Sequence, residues 1–462
     1  MTTLRTELLV VGAGLAGYAA ALEAARLGAQ VLVLEKTAQP GGSSVMSSGC
    51  MAFAGTDLQL AAGVEDSPEL LRQDLLEVGQ HENDPALVQA YATHQQDTYS
   101  WLRDLGVQFS PAIDSSAGQS VPRVHTVDPA QMLAQLAAAC RLTGRVQVAP
   151  STRASRLRRD GGTGAVTGVQ ALGPAGACDI EAENGVLLAS GGFSNNINLV
   201  RRFAPQVAQA VFVGGEGATG DGLRMAWALG ADLRDMAFIK GTFGKHPTDT
   251  SSNHPCLAVY KGAIAVNRDG RRFVDESQSY KLLGDAVLRQ PGHTGFQVFD
   301  QPVFERGDER VRIFDFARRL EQGLLLQAPT LPALARVAGL PEAALCETVA
   351  GYNSAVRAGR DPLFGRDSLV HGQGVLQPIA QGPFYAYPSA AAVFGTYCGL
   401  RVDDAMRVLD VFDQPITGLY AAGEVVGGLH GGAYMTGSAL GKAAVFGRLA
   451  ARSAVRNGGP PP

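Results

Sequence analysis

The chain has 462 residues, of which 46% are hydrophobic and 18% charged, so it can bury a large core and is long enough for two domains. Its net charge of −4, with lysine and arginine scattered along the sequence, argues against nucleic acid as a partner. The six cysteines form no C-x-x-C pair, which excludes haem-attachment and ferredoxin-like motifs and indicates reduced thiols in a cytoplasmic protein.

The first apolar run, residues 8–25, is interrupted by Gly12, Gly14 and Gly17 and ends in charged residues. It lacks the basic start, the continuous apolar stretch and the cleavage site of an export signal, and the same interruptions argue against a membrane span. We therefore interpret it as a buried strand that leads into a helix.

The N-terminal pattern predicts a strand over 7–11, a helix over 17–27 and a second strand over 30–34, a βαβ unit with parallel strands. Gly12-x-Gly14-x-x-Gly17 falls between the first strand and the helix, and Glu35 ends the second strand. These glycines permit a tight turn and close approach of backbone N–H groups to a pyrophosphate, while Glu35 can accept hydrogen bonds from a ribose. The pattern predicts a dinucleotide site without distinguishing FAD from NAD.

Further along the chain, small-residue loops at 40–44 and 47–49 would let the backbone approach a ligand closely. Residues 67–105 are predicted to be mostly helical, 146–157 and 165–171 to form a hairpin-like pair of strands, and 185–189 to form a buried strand. Residues 237–375 are more polar and irregular, with a helix-rich stretch at 320–352. The sequence therefore predicts a cofactor domain made of residues 1–236 and 376–462, interrupted by a substrate or cap domain at 237–375.

Several segments resemble, in the same order along the chain, those of the fumarate reductase and succinate dehydrogenase flavoprotein superfamily. They are GGSS at 41–44, LASGGF at 188–193, TGDG at 219–222, and GLYAAGEVVGGLHGGAYMTGSALGKAAVFGRLA at 418–450. The resemblance implies an α/β fold: a Rossmann-like, glutathione-reductase-like FAD domain with a central parallel sheet and a small β-sheet, interrupted by an α+β cap. It also implies non-covalent FAD, because some relatives attach the flavin through a histidine near Ser43 and this chain has no histidine before His81.

The dinucleotide motif and the resemblance together single out candidate cofactor-binding residues. These are Gly12, Gly14, Ala16, Gly17, Glu35, Lys36, Gly41, Gly42, Ser43, Ser48, Gly49, Ala154, Ser190, Gly191, Asp221, Gly423, Glu424, His430, Ser438 and Leu440. A helix that starts at 437–440 beside the isoalloxazine would stabilise negative charge at its N1–C2=O edge. The histidines have no partners at metal-ligand spacing, so we expect no metal site.

Two arginine positions of the superfamily carry tyrosine in this chain. In fumarate reductases, the arginine that donates a proton lies four residues after the glutamate that corresponds to Glu276, where this chain has Tyr280. A second, substrate-binding arginine corresponds to Tyr434, and a family histidine falls within 394–397, where there is none. A doubly anionic substrate would lack cationic partners, so fumarate or succinate chemistry is disfavoured.

The tyrosine pair is similar to that of flavin-dependent 3-ketosteroid dehydrogenases and related cyclic-ketone desaturases. The resemblance implies that Tyr280 removes the α-proton of a ketone, that the β-hydrogen leaves as hydride to flavin N5, and that Tyr434 with the Gly437 backbone N–H stabilises the enolate oxygen. We therefore expect an FAD-dependent dehydrogenase that forms an α,β-double bond next to the ketone of a cyclic substrate.

An unperturbed tyrosine has a pKa near ~10, so a tyrosine base needs neighbours that favour the phenolate. Lys240, Lys245 and Lys281 are candidate sources of that positive charge. Each tyrosine also has a simpler interpretation, as a packed aromatic side chain with a satisfied hydroxyl.

Two alternatives stay open. The same residues could run the reverse reaction, as an ene-reductase of the fumarate-reductase type, or the chain could be a flavin-binding electron-transfer subunit. The sequence carries no haem or iron–sulfur motif and no second nucleotide fingerprint. We therefore expect electrons to pass to a separate acceptor, such as a quinone, a flavoprotein or oxygen.

Overall fold

The computed structural model describes residues 2–116, 118–239, 241–249, 255–370 and 372–457. The strands are β1 (Thr2–Thr6), β2 (Leu8–Val11), β3 (Val31–Leu34), β4 (Cys50–Ala52), β5 (Phe109–Asp114), β6 (Val124–Val127), β7 (Val146–Ala149), β8 (Arg153–Arg159), β9 (Val166–Gly173), β10 (Gly176–Ala182), β11 (Val186–Leu188), β12 (Val211–Phe212), β13 (Leu233–Arg234), β14 (Thr242–Lys245), β15 (Ile264–Asn267), β16 (Thr294–Asp300), β17 (Leu326–Ala328), β18 (Phe384–Val393), β19 (Gly399–Leu400), β20 (Arg407–Leu409) and β21 (Pro415–Ala421). The helices are α1 (Leu15–Arg26), α2 (Gly42–Val45), α3 (Asp57–Ala61), α4 (Pro68–Val78), α5 (Pro85–Asp104), α6 (Pro129–Leu142), α7 (Ile197–Phe203), α8 (Asp221–Trp227), α9 (Tyr280–Leu288), α10 (Gln301–Phe304), α11 (Phe316–Glu321), α12 (Leu331–Ala338), α13 (Glu342–Ala358) and α14 (Ser438–Asn457).

A six-stranded sheet in the order β20-β21-β11-β2-β3-β7 contains the predicted βαβ unit. Strands β21, β11, β2, β3 and β7 run parallel, and β20 is an antiparallel edge strand. Strands β2, β3 and β11 read LLVV, VLVL and VLL and are buried at every residue, as expected for parallel strands covered on both faces. The predicted α/β fold with a central parallel sheet is confirmed.

Helices α1 and α14 pack closely against each other beside this sheet. Gly447 makes the contact possible, because a Cβ at that position would lie 2.5 Å from the carbonyl oxygen of Ala16. The N-terminal turn of each helix faces the same cleft.

The smaller sheet has the order β1-β10-β9-β8, and it corrects one predicted element. The apolar stretch 146–157, predicted as a single strand, is two strands, with β7 in the central sheet and β8 in the smaller one. Pro150 removes a backbone donor and Ser151 has a φ of +52°, so the chain turns between the two sheets.

A third sheet is built on the ten-residue strand β18, which pairs with β12, β14, β16 and β17, while β15 pairs with β16. Residues of this sheet and of the helices packed on it form a separate apolar cluster that includes Ile264, Phe296 and Leu334. Most of this sheet comes from residues 237–375, but β12 and β18 lie outside that segment. The proposed domain boundaries stay a prediction.

Within the described parts of the chain, no helix has the length and hydropathy needed to cross a bilayer.

Candidate active site

A cleft of about 1860 Å³, a volume that includes the open space at its mouth, lies at the carboxyl ends of the central parallel strands. Val11, Glu35, Ser190 and Gly423, which end or follow β2, β3, β11 and β21, all line it. In open α/β sheets, ligands bind at this edge of the sheet.

The glycine motif shapes one end of the cleft. Gly12 has a φ of +110°, and a Cβ there would lie 2.3 Å from the carbonyl oxygen of Ala189. A Cβ at Gly17 would lie 1.9 Å from the carbonyl oxygen of Gly12, so strand and helix approach more closely than a side chain permits. The first turn of α1 lines the cleft at Leu15 and Ala16, and the Leu15 N–H donates to the Ser44 hydroxyl oxygen at 3.1 Å. A helix N-terminus that faces a cleft favours a pyrophosphate.

Glu35 is fixed at this end by its own hydrogen bonds. Its carboxylate accepts from the Ala13 N–H at 3.1 Å and from both the N–H and the hydroxyl of Thr37 at 2.8 Å. Because a carboxylate has four lone-pair sites, Glu35 retains acceptor capacity towards the cleft.

Lys36, Arg153 and Asp221 form a charged cluster on the same wall. The Nζ of Lys36 lies 2.8 Å from Asp221 Oδ2, and a guanidinium nitrogen of Arg153 lies 2.9 Å from Asp221 Oδ1. Burial opposes ionisation of Asp221, but the hydrogen bonds from Lys36 and Arg153 outweigh it and lower the pKa of the carboxyl.

Ser190 provides an independent observation on the cofactor. Its hydroxyl is buried, has no hydrogen-bond partner among the described residues, and belongs to a residue that lines the cleft. Buried hydroxyls are normally hydrogen-bonded, so this one indicates a polar ligand. Together with the glycine turn and the start of α1, which lines the cleft, it fits FAD.

The other end of the cleft lies beside the start of α14. Gly437 has a φ of +89°, and a Cβ there would lie 2.7 Å from the Ala52 nitrogen, so the loop requires glycine. Glu424 accepts from the Thr396 N–H at 2.9 Å, and burial raises the pKa of its carboxyl. Lys442 donates to the Val426 carbonyl oxygen at 2.8 Å, and burial lowers the pKa of its ammonium to about 8.

Most of the candidate residues predicted from the sequence line this cleft. Those that do are Gly12, Gly14, Ala16, Glu35, Lys36, Gly42, Ser43, Ser48, Ala154, Ser190, Gly191, Asp221, Tyr280, Gly423, Glu424, Tyr434, Gly437 and Leu440. Which of them bind FAD or take part in catalysis stays a prediction.

Five predicted cofactor residues, Gly17, Gly41, Gly49, His430 and Ser438, do not line the cleft. The three glycines allow close packing, and a Cβ at Gly49, for example, would lie 1.9 Å from the Val127 carbonyl oxygen. His430 lies behind the wall, where its Nδ1 is 3.3 Å from the Ser438 hydroxyl, and it lines a second, much smaller cavity.

Three phenol rings form the wall at the α14 end. The ring centroids of Tyr280 and Tyr434 are 5.9 Å apart, and those of Tyr397 and Tyr434 are 4.6 Å apart. The Tyr434 hydroxyl accepts from the Ala439 N–H at 3.4 Å. Ser279 caps α9 by accepting from the Lys281 N–H and donates to the Tyr434 carbonyl oxygen at 3.2 Å, which ties the two tyrosine segments together.

We call the α14 end of the cleft the chamber. Apart from the three phenol rings, its lining is largely apolar. Leu257, Ile313, Pro255 and Phe394 line it, with the hydroxyl residues Thr242 and Thr436. Among the described residues that line the whole cleft, the single arginine is Arg153, which is paired with Asp221 at the nucleotide end. The chamber therefore suits a neutral molecule with a polar oxygen.

Burial raises the pKa of Tyr280 well above 10, and the neighbouring Tyr434 and Tyr397 raise it further. A hydrogen bond with Thr436 lowers the pKa but does not cancel the rise. Burial also raises the pKa of Tyr434 to about 12, although the nearby backbone N–H groups of Ala439 and Gly437 lower it. Burial therefore opposes the phenolate form of Tyr280, and the expectation that neighbouring positive charge favours it stays a prediction.

The lysines proposed as sources of positive charge differ in position. Lys245 pairs with Asp249 at 3.2 Å, whereas Lys281 lies 5.8 Å from the ring centroid of Tyr280. Lys240 lies outside the described residues.

Sequence reasoning missed Thr242, Thr436 and Lys442. Thr436 lies between Tyr434 and Gly437, so its place in the loop was an available signal. Lys442 stands out as a lysine in an apolar helix just after the glycine-rich loop. Nothing in the sequence marks Thr242, which reaches the site through the pairing of β14 with β18.

Residues 7–440 match the family model described as an FAD binding domain. The chain is 32% identical to a fumarate reductase (cytochrome) of Shewanella frigidimarina, over 97% of this chain and 77% of that protein. Its fold is similar to the open conformation of a flavocytochrome c3 fumarate reductase, with a TM-score of 0.80 and 31% identity over 98% of this chain and 79% of the other. It is also similar to 3-ketosteroid Δ4-(5α)-dehydrogenase from Rhodococcus jostii RHA1 in complex with 4-androstene-3,17-dione, with a TM-score of 0.78 and 27% identity over 98% and 97% of the two chains.

Proposed function

The chain belongs to this FAD-binding family and is an oxidoreductase of CH–CH groups, and on that premise we propose that it dehydrogenates a cyclic ketone at the carbons α and β to the carbonyl. The observation that carries the proposal is the pairing of Tyr280 with Tyr434 in one chamber wall, with ring centroids 5.9 Å apart. A ketone offers one neutral acceptor oxygen, which this wall can bind, and it needs no cationic clamp.

Tyr434 suits the role of hydrogen-bond donor to the ketone oxygen. The backbone N–H of Ala439 donates to its hydroxyl oxygen at 3.4 Å. A hydroxyl that accepts hydrogen bonds is a stronger donor in turn, because the dipoles polarise one another. Its proton would stabilise the negative charge that develops on the carbonyl oxygen as the α-proton leaves.

Tyr280 suits the role of proton carrier at the α-carbon. It starts α9 beside Tyr434 and lines the same cleft, so the two hydroxyls can address neighbouring atoms of one substrate. When bound, FAD supplies the acceptor for the β-hydrogen and its electron pair. When Tyr280 takes the α-proton, the electron pair of the broken C–H bond forms the new carbon–carbon double bond.

The chamber wall favours a ring without carboxylates. Leu257, Ile313 and Phe394 would contact the apolar body of the substrate, and a carboxylate at this end would find no arginine among the described lining residues. The electrons would leave to a separate acceptor, for which a quinone, a flavoprotein and oxygen remain the candidates.

One observation favours a second candidate function, the reduction of an α,β-unsaturated ketone. Burial keeps Tyr280 as a neutral phenol, because its pKa is raised well above 10. A neutral phenol is ready to donate a proton, whereas a base must first lose one. The same residues would then protonate the α-carbon while bound, reduced FAD supplies hydride.

An anaerobic spectroscopic screen tests the proposal. Purified protein with bound FAD is mixed with saturated monocyclic ketones, saturated 3-ketosteroids, succinate and buffer, and loss of the flavin absorbance is followed. The proposal predicts bleaching by at least one ketone and none by succinate. Bleaching by succinate alone would reject it, and no bleaching by any compound would favour a flavin carrier or the reductive direction.

The reductive direction has its own measurement in the same apparatus. Dithionite-reduced enzyme is mixed with cyclic enones and with fumarate, and return of the oxidised flavin spectrum is followed. Reoxidation by enones, without bleaching by the saturated ketones, would identify the reductase.

A further inference from the structure

Lys281 holds its ammonium behind the phenol rings of the chamber. The residue is 1% exposed, and its Nζ donates to the Thr242 hydroxyl at 2.6 Å. The same nitrogen lies 4.5 Å from the ring centroid of Tyr397 and 5.8 Å from those of Tyr280 and Tyr434. We call this arrangement the tyrosine cage.

The cage keeps the cation just outside the cleft. Lys281 lines the smaller cavity behind the wall rather than the cleft itself, whereas the three tyrosines and Thr242 line the cleft. Lys281 therefore acts on a bound substrate through the rings and the hydroxyl, as a positioning residue.

Burial takes the ammonium out of water, and the Thr242 hydroxyl and the faces of the tyrosine rings contact it there. In the low effective dielectric of a buried site, the same charge stabilises a nearby anion more strongly than it would in water. A negative charge that forms in the chamber would therefore be stabilised when Lys281 is protonated.

Among the described residues, the titratable groups around the ammonium include Tyr280, Tyr397, Tyr434 and His430, with Asp285 one turn further along α9. Burial lowers the pKa of His430 well below 6.5, and the charges of Lys442 and Lys281 lower it further. His430 is therefore neutral, and the described cations that act on this group are Lys281, behind the rings, and Lys442, which lines the cleft.

We propose that Lys281 makes the chamber an anion-stabilising site, which selects ligands whose oxygen becomes negatively charged on an sp² carbon. This inference rests on the proposed function and specifies its substrate class: carbonyl compounds that pass through an enolate-like state. Phenols share this chemistry, because a phenolate presents the same oxygen on a planar ring.

Binding of 4-nitrophenol to the oxidised holoenzyme tests the inference without turnover. The absorbance of 4-nitrophenol distinguishes the phenol from the phenolate, so its titration can be followed in the bound state. In the wild type, bound 4-nitrophenol should titrate at lower pH than free 4-nitrophenol. In Lys281→Met, phenolate affinity should fall by about tenfold, with affinity for the neutral phenol unchanged, the effect of losing one nearby opposite charge.

Two further variants separate charge from packing. Lys281→Arg keeps the cation and should keep the preference for the phenolate. Lys261→Met removes another lysine from a ring contact, 4.1 Å from the centroid of Phe314, at a residue that does not line the cleft, and should leave the titration unchanged.

An equal titration in the wild type and Lys281→Met would overturn the inference, as would a loss of phenolate preference in Lys281→Arg equal to that in Lys281→Met. Ketone bleaching with an unchanged titration would reject the role of Lys281 and leave the proposed function standing. A changed titration in Lys281→Met without bleaching by any ketone would reject the proposed function and leave the anion site standing.

Discussion

The phenol rings of Tyr280 and Tyr434 lie 5.9 Å apart at an interplanar angle of 49°, although one starts α9 and the other lies in the loop before α14. Both side chains are 8% exposed, so each is packed on all sides except that facing the cleft. A Tyr-to-Phe change at either position removes one hydroxyl and keeps the ring, which separates chemistry from packing.

Replacement of Tyr280 by phenylalanine should abolish bleaching of the flavin by ketones and leave FAD bound, because it removes the proposed proton carrier. The measurement is anaerobic stopped-flow absorbance. Tyr260→Phe is a matched control, since that ring lies 6.4 Å from Tyr280, its hydroxyl donates to the Gln278 carbonyl oxygen, and it does not line the cleft. Wild-type bleaching in Tyr280→Phe would remove Tyr280 from the mechanism.

Tyr434→Phe should slow flavin reduction by roughly a hundredfold, the scale of one lost oxyanion donor. FAD content should stay at the wild-type level, because the ring and its contacts with Tyr397 are preserved. Single-turnover rates and the ratio of flavin to protein absorbance distinguish the two effects. A loss confined to flavin content would make the residue structural.

The rate of dehydrogenation should rise with pH between about 7 and 10. Tyr280 must act as a base in this direction, and its pKa is raised well above 10, so the phenolate fraction grows about tenfold per pH unit below that value. The reductive direction needs the neutral phenol and should be flat over the same range. Single-turnover rates in both directions test this, and a plateau near neutral pH in the dehydrogenation profile would contradict it.

Ser190→Ala should weaken FAD binding by about five- to tenfold, or roughly 1 kcal/mol, the net contribution of one hydrogen bond. The free energy of unfolding of the apoprotein should not fall, because the buried hydroxyl has no partner among the described residues. Fluorescence titration of FAD and urea unfolding of the apoprotein measure the two quantities. A destabilised apoprotein with unchanged FAD affinity would show that the hydroxyl bonds to protein instead.

The free energy of unfolding should fall as pH rises above about 9. Burial raises the pKa of the Cys140 and Cys256 thiols to about 12 and that of Cys398 higher still, from an ordinary value of 9.0. Above pH 9 the unfolded chain loses these protons and the folded chain keeps them, so each thiol lowers stability by about 1.4 kcal/mol per pH unit.

Urea unfolding from pH 8 to 10.5 under reducing conditions, with saturating FAD, measures this slope. Cys256→Ala removes one of the titrating thiols and should therefore reduce the slope by about 1.4 kcal/mol per pH unit. An unchanged slope would show that this thiol does not control the alkaline loss of stability.

The sequence predicted the central fold well because its signals are local. The apolar runs of β2 and β3 and the glycines between them are determined within a few residues, and their boundaries match those predicted to within two residues. The break at Pro150 and Ser151 was missed although proline was visible, because strand periodicity continues on both sides of it. Local signals cannot show that two strands belong to different sheets.

The site was less predictable, because its neighbours are distant along the chain. Only the family resemblance suggested that Tyr280 and Tyr434 share a chamber. The contact between Lys281 and Thr242 depends on how α9 packs against β14, and no period or motif encodes it. The raised pKa of Tyr280 likewise follows from burial by several segments, whereas sequence reasoning considered only the lysines.

The order of the central sheet has a consequence for biosynthesis. Strand β21 lies beside β11, and α14 packs on α1, so segments more than 200 residues apart in the sequence are neighbours in the folded molecule. While the ribosome is still translating, β2 and α1 are already available but lack β21 and α14. The cleft is therefore complete only after α14 has been translated, because α14 forms part of its lining.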